Sequence, residues 1–334
     1  MTDGLALATR GLQKRYGSRT ALAGLDLTVP AGVVYGFLGP NGAGKTTTMR
    51  LLTGLIHPDA GTIEILGRPF GRRDRRRLFE VGALIESPSF YPYLSARENL
   101  RALAATGAPT STSRIEELLE LVGLRDRARD KVQTYSLGMK QRLGIAAALL
   151  SDPSLLLLDE PSNGLDPAGI VAMRETLKQL ALSGKTVFVS SHILGEVQQL
   201  ADVLGIIAAG RLVREGPIDQ LLQGEGVVRV RVTPAEVAAA KLVLDRLAPD
   251  SPSSTTGDGG WLSLRIPPDR AAEVNRALAA AGIHASGLET GNDLESLFLE
   301  LTGGDDSANP EGTFFGTAGG NVRPPAGPGA GGVA

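Results

Sequence analysis

Gly39-Pro40-Asn41-Gly42-Ala43-Gly44-Lys45-Thr46 has the G-x-x-x-x-G-K-[ST] spacing of a loop that cradles phosphate. Glycines let the backbone fold tightly around an anion, so that successive N–H groups and a helix N-terminus aim at phosphate oxygens. Lys45 is placed to reach β- and γ-phosphates, and the Thr46 hydroxyl to join a Mg²⁺ shell otherwise made of water and phosphate. A plain glycine-rich turn is the competing reading. The apolar run Val33–Leu38 before the loop and the helical text Thr47–Leu52 after it supply the strand–loop–helix context that favours a nucleoside triphosphate site.

A second set of chemical residues lies downstream. Leu155–Leu158 is an apolar strand ending in Asp159-Glu160. A buried parallel strand delivers Asp159 to its C-terminal end, where a carboxylate can hold Mg²⁺ or its water. Glu160, one residue on, can polarise an attacking water beside the γ-phosphate. Ser136-Leu137-Gly138-Met139 opens the apolar helix Leu143–Leu150 and forms a second candidate anion site, although Ser-x-Gly alone is an ordinary helix cap.

The elements that must carry these residues can be read from the pattern. Residues 5–32 alternate apolar runs with turn signals, which predicts antiparallel strands before the phosphate loop. Residues 94–150 read as helical, with Ser95 capping three residues before Glu98. Residues 154–160 and 186–191 read as buried parallel strands, 167–183 as a helix, and Gly210–Gly216 as a closing hairpin. A second unit comes next: strand Val227–Val232, helix Pro234–Leu247, strand Trp261–Ile266, helix Pro268–Ala281, strand Ile283–Leu288 and helix Asp293–Leu301. From Gly303 the text turns to Gly, Pro, Ala and Asn without period, which predicts disorder.

With 334 residues, 42% apolar and 21% charged, the composition is that of a folded chain of one or two domains. A net charge of −2 gives no global pull toward nucleic acid, and the absence of cysteine excludes disulfides and thiolate metal sites. No signal peptide or membrane-spanning run is visible, so a membrane role is expected to pass through a separate partner. The cluster Arg72, Arg73, Arg75, Arg76, Arg77 reads first as a solvated helix start and second as a contact for anionic headgroups.

Taken in order, the phosphate loop, the Ser136 loop and the acidic strand resemble the ATP-binding cassette proteins. The resemblance implies an α/β P-loop NTPase fold with a β-rich and a helical subdomain over residues 5–224. A small α+β accessory domain over 225–302 and a disordered tail over 303–334 complete the expected architecture. It implies ATP contacts from Tyr16, the loop Gly39–Thr46 and Thr47, with Tyr16 stacking on adenine. Glu160 and His192, at the end of Val189-Ser190-Ser191-His192, are implied as catalytic, the histidine contacting the γ-phosphate. Asn163-Gly164-Leu165-Asp166 looks like the loop that crosses to an opposite subunit. Two such domains would pair head to tail, each Ser136 loop closing on the ATP held by the other's Lys45 loop.

Two departures qualify the resemblance. Leu137 and Met139 replace a glycine and a glutamine of the usual signature, while Ser136 and the backbone amides remain. Glu86 stands where the family places a glutamine linking Mg²⁺, water and the membrane partner. Glu86-Ser87-Pro88 and its continuation to Leu100, Ser136–Arg142, Asn163–Pro167 and the end Asp293–Leu301 are similar to the bacitracin-type exporter subgroup. The resemblance thus implies an ATPase subunit at the cytoplasmic face of the membrane, bound to separate permease subunits. It would use ATP and Mg²⁺, with Thr46, Asp159 and Glu86 toward the metal, to power export of an antibiotic or peptide-like substrate. A soluble ATPase of the same family, or a nucleotide-dependent regulatory module, is the alternative; no nucleic acid partner is expected.

Overall fold

The computed structural model describes residues 4–107, 110–222, 226–256, 260–291 and 298. Alternating apolar residues before the phosphate loop form two long antiparallel strands, β1 (Leu5–Tyr16) and β2 (Arg19–Pro30). β3 (Val34–Leu38) is buried along its whole length and runs into the loop, after which α1 (Lys45–Leu52) begins. β4 (Ala60–Ile65) pairs with β1, and β5 (Arg68–Pro69) with β4, giving a four-stranded antiparallel sheet in the order β2-β1-β4-β5. β6 (Val81–Leu84) then enters a second sheet.

Three helices come next: α2 (Ala96–Ala104), α3 (Thr112–Leu121) and α4 (Leu137–Ala148). α2 starts at a capping box in which Ser95 Oγ accepts from the Glu98 N–H and Glu98 accepts from the Ser95 N–H. The chain returns through β7 (Leu155–Asp159), α5 (Pro167–Leu182), β8 (Thr186–Ser191), α6 (Leu194–Leu200), β9 (Val203–Ala208), β10 (Arg211–Pro217) and α7 (Ile218–Leu222). The β9–β10 turn needs positive φ at Ala209 (48°) and Gly210 (73°), which suits a tight hairpin.

The second sheet runs β10-β9-β3-β8-β7-β6, with β10 alone antiparallel to its neighbour. Its central strands are buried along their whole length, since every residue of β3, β7 and β8 is buried, including the polar Asp159, Ser190 and Ser191 at their C-terminal ends. One core, with Tyr35, Phe37, Met49 and Phe188, lies between this sheet, α1 and the first sheet. Another, with Leu100, Leu118, Leu143 and Leu177, joins the sheet to α2–α5. β3, β7 and β8 are adjacent and parallel, so the residues just past their C-terminal ends meet at one edge.

The C-terminal unit comprises β11 (Val227–Arg231), α8 (Val237–Leu247), β12 (Ser254–Thr256), β13 (Trp261–Arg265), α9 (Ala271–Ala280) and β14 (Gly287–Gly291). Its antiparallel sheet has the order β12-β13-β11-β14, and Val228, Val230, Leu262 and Leu264 pack against Ala240, Leu244, Val274 and Leu278 of the helices. The strand expected at Ile283–Leu288 lies instead at Gly287–Gly291. Ile283 ends the turn after α9, its N–H donating to Leu278 O, and its side chain enters the core from there. β12 was not anticipated, being three residues of Ser and Thr. The helix expected at Asp293–Leu301 and the tail 303–334 lie outside the described residues, apart from Phe298, which packs on a cluster containing Leu38 and Leu194.

Candidate nucleotide site

The phosphate loop is shaped by two close approaches. A Cβ at Gly39 would lie 2.4 Å from Ile207 O, and one at Gly44 (φ 113°) would lie 2.7 Å from Leu22 Cδ2. Only glycine fits either place. The loop therefore hugs the ends of β3 and β9, and α1 begins directly at Lys45.

Lys45 is 6% exposed, and a buried ammonium must be paired. Its Nζ donates to Gly39 O at 2.7 Å and Pro40 O at 3.3 Å, and lies 3.2 Å from Glu160 Oε1. Glu160 sits in the left-handed region (φ 48°), where a non-glycine residue is strained; that conformation turns its carboxylate toward Lys45 and His192. His192 Nδ1 is 2.8 Å from Glu160 Oε2. Burial on its own raises the Glu160 pKa, but the hydrogen bond with His192 and the charge of Lys45 outweigh it and hold the carboxyl below its ordinary value. The same hydrogen bond raises the His192 imidazole, against the opposing effect of burial.

The signs give a window. His192 contributes stability below the ordinary imidazole value, about 6.5, and loses it as pH rises through its raised folded pKa. Glu160 contributes above the ordinary carboxylate value and loses it as pH falls through its lowered one. Glu160→Gln should therefore bring the His192 pKa down, read by NMR titration of the imidazole signals. A His192 pKa unmoved by the substitution would mean the two groups do not interact in solution.

Asp159 is buried at the end of β7 and accepts from Ser190 Oγ at 2.5 Å, while Ser190 Oγ also accepts from the Glu160 N–H at 3.0 Å. One hydroxyl on β8 thus fixes both neighbouring acidic residues. A cavity of about 520 Å³ opens over this arrangement. Tyr16, Asn41, Gly42, Gly44, Lys45, Thr46, Thr47, Glu160, Asn163 and His192 line it, together with Arg19 and Ala21 of β2. The Tyr16 ring is 45% exposed, with Lys14 Nζ 5.8 Å from its centroid, and so forms an open wall. Arg19 and Ser190 were missed by the sequence reading. The signal for Ser190 was its place two residues before His192, in register with Asp159 on the neighbouring strand.

Other expected residues stand elsewhere. Ser136 caps α4, its Oγ accepting from the Met139 N–H at 3.2 Å, and is exposed. Leu137 packs against Gly164, and Gly138 faces Leu165, so the Ser136 loop and the Asn163–Asp166 loop lie side by side. Asp166 caps α5 through the Gly169 N–H at 3.1 Å. Of the Ser136 loop, nothing lines this chain's own cavity. Glu86 also lies outside the lining: strained at φ 63° and 57% exposed, it forms an ion pair with Arg50 of α1. The structure does not bring it to Thr46.

Thr46 and Asp159 are oxygen donors of the type Mg²⁺ takes. Among the described residues no group of three or more His, Asp or Glu could hold an ion unaided, so phosphate oxygens and water must complete such a shell. These residues fit a metal that arrives with a nucleotide.

The family model described as ABC transporter matches residues 22–163. The chain is 50% identical over 216 residues to the bacitracin transport ATP-binding protein BcrA of Bacillus licheniformis, covering 64% of this chain and 71% of the relative. It is 39% identical over 301 residues to the protein of the same name from Enterococcus faecalis, covering 89% and 96%. A solved structure of an ATP-binding subunit of an ABC transporter matches with a TM-score of 0.57 and 31% identity, over 65% of this chain and 91% of that one. With the phosphate loop, acidic strand and histidine gathered at one cavity, the chain belongs to the ABC transporter family as an ATP-binding and ATP-hydrolysing subunit, in the branch that holds the bacitracin-type proteins.

Proposed function

We propose that this chain binds Mg²⁺-ATP in the Lys45 cavity, hydrolyses it as a head-to-tail homodimer, and powers export through separate membrane-spanning subunits at the cytoplasmic face of the membrane. The observation that carries this is the convergence of Lys45, Glu160 and His192 on one 520 Å³ cavity that Thr46 and Tyr16 also line. No helix among the described residues is long and apolar enough to cross a membrane. The relatives named for bacitracin transport support an antibiotic or peptide-like substrate.

The roles follow from position. Backbone amides of Asn41–Lys45 and the Lys45 ammonium bind phosphate; Tyr16 stacks on the base. Thr46 and Asp159 would hold Mg²⁺, which would supply charge neutralisation at the phosphates. Glu160 accepts a proton from the attacking water, and His192 orients Glu160 and reaches the γ-phosphate. When phosphate oxygens replace Glu160 as the partner of Lys45, the Glu160 carboxylate is freed for water. The exposed Ser136 loop, braced on Asn163–Asp166, closes on the partner's nucleotide. Separate apolar cores support the division into residues 5–224 and 225–302, with the accessory unit serving dimer contacts or regulation. Phosphate release by the purified chain, and recovery of a permease with the tagged chain from membranes, test the reading; failure of both would overturn it.

Glu86 reaches the metal only by leaving Arg50. An exposed ion pair contributes about 0–1 kcal/mol, so that release costs little. A carboxylate near the γ-phosphate repels it without metal and attracts Mg²⁺ when the ion lies between them. The ratio of ATP affinities with and without Mg²⁺ is therefore expected to fall in Glu86→Gln and to rise in Arg50→Ala. An identical ratio in the parent and both variants would remove Glu86 from the metal.

A further inference from the structure

Six of the chain's 34 basic Lys and Arg residues fall within residues 68–77, against one acidic residue there, Asp74. The remainder of the chain is acidic. Two of the six arginines are absorbed by the fold. Arg68 pairs with Glu80 at 2.9 Å, and Arg77, 16% exposed, donates to the carbonyls of Ile65, Arg68 and Pro69. Asp74 is used by the Gly71 N–H at 2.9 Å. Arg72, Arg73 and Arg76 are exposed and make no hydrogen bond or ion pair with any described residue. A solvated start to the turn Arg75–Glu80 accounts for their exposure but not for their number, because the backbone disfavours positive charge at the N-terminal end of a helical turn.

Exposed aromatic residues follow the arginines in the chain. Phe79, 50% exposed, comes just after the arginines and lines a groove of about 340 Å³ together with Phe90. Tyr91 and Tyr93, just past Phe90, are 65% and 74% exposed. Arg76 and the exposed Phe79 share one turn, and free cations with exposed aromatic side chains are the chemistry of a bilayer interface. The arginines sit on a loop and a short turn with no carboxylate holding them in a fixed fork, so they read charge density, as a fluid headgroup surface presents it, and not the shape of one ligand.

We propose that Arg72, Arg73 and Arg76 form a docking surface for the anionic headgroups of the membrane beside the permease. This rests on the reading of the chain as a transporter subunit and deepens it. A bilayer surface attracts the patch and repels the acidic remainder, so the contact also orients the molecule. The attraction acts within about 8 Å at physiological ionic strength, close enough that the arginine side chains must touch the headgroup layer.

The test is sedimentation of the purified full chain with vesicles of phosphatidylcholine alone or containing phosphatidylglycerol, alongside ATP hydrolysis in solution. The parent should bind the anionic vesicles only, and high salt should release it. Arg72→Ala/Arg73→Ala/Arg76→Ala should weaken binding on the order of 10²-fold, about fivefold for each charge lost near the surface, with unchanged ATP hydrolysis showing that it is folded. The corresponding triple lysine variant should bind like the parent. Equal binding to both vesicle types, or by the alanine variant, overturns the proposal while leaving the ATPase reading intact. So does loss of binding in the lysine variant, which would mean a shape-specific site. A parent that ignores vesicles, combined with an alanine variant that no longer co-purifies with the permease, also overturns it and assigns the patch to an acidic protein surface.

Discussion

Lys45→Ala is expected to abolish ATP hydrolysis and to weaken ATP binding on the order of 10²–10³-fold, since truncating one partner of a buried, hydrogen-bonded charge pair in a complex costs about 2–5 kcal/mol. The side chain is 6% exposed and sits between the loop carbonyls of Gly39 and Pro40 and the Glu160 carboxylate. Its loss removes the cation that faces the β- and γ-phosphates. It also leaves Glu160 with His192 as its only charge partner among the described residues, and with more negative charge facing an incoming polyphosphate. Both effects act against binding. Gly39 and Gly44 give the loop its tight path, and the Lys45 ammonium braces it through the Gly39 and Pro40 carbonyls, so circular dichroism is needed to show that the variant remains folded. Nucleotide titration and phosphate release measure the rest. Equal ATP affinity in the parent and variant would detach this loop from the phosphate site.

The strands β1–β3, β7 and β8, the phosphate loop and the helix caps were legible because each depends on local chemistry, whereas β4, β5, β6 and β9 were not expected. Ser95 with Glu98, and Ser136 with Met139, are caps whose partners lie within three residues. Leu155–Leu158 could be read as a buried strand because burial on both faces leaves no polar alternation. The errors came where identity did not fix geometry. Ile283 looked like a strand residue, yet an apolar side chain after a helix-ending turn fills the core equally well; the turn is made by Gly282 at φ 74°. β12 has no apolar residue to announce it, since it is defined by its pairing with β13.

In the site, residues that the family resemblance places were found, including Tyr16 at the end of β1 and His192 just past β8, and those whose role depends on strand pairing were not. Ser190 reaches Asp159 across the β7–β8 pairing, and Arg19 reaches the cavity because the β1–β2 turn sets it opposite Tyr16. Glu86 shows the converse. Its residue type suggested metal chemistry, but its side chain answers to the nearest cation, Arg50, which lies on the first helix and 36 residues away in sequence.

Glu160→Gln should still bind Mg²⁺-ATP and hydrolyse it about 10²–10⁴-fold more slowly, the range a positioned general base contributes. Glutamine keeps the length and one oxygen of the side chain and can remain hydrogen-bonded to His192, so the cavity retains its shape. What it loses is the charge that attracts a proton from the attacking water. The backbone strain at φ 48° is the same for both residues, because it arises from Cβ and not from the carboxyl. Removing this charge also relieves the repulsion between Glu160 and an entering γ-phosphate, so ATP affinity should hold or improve. With binding intact and hydrolysis blocked, the closed pair should accumulate, because ATP stabilises the state that it bridges and is no longer consumed. Phosphate release, nucleotide titration and light scattering with ATP are the three measurements. Parental turnover would assign the base to another residue. Slow turnover with an unbroken monomer peak would keep Glu160 as the base and remove the head-to-tail dimer.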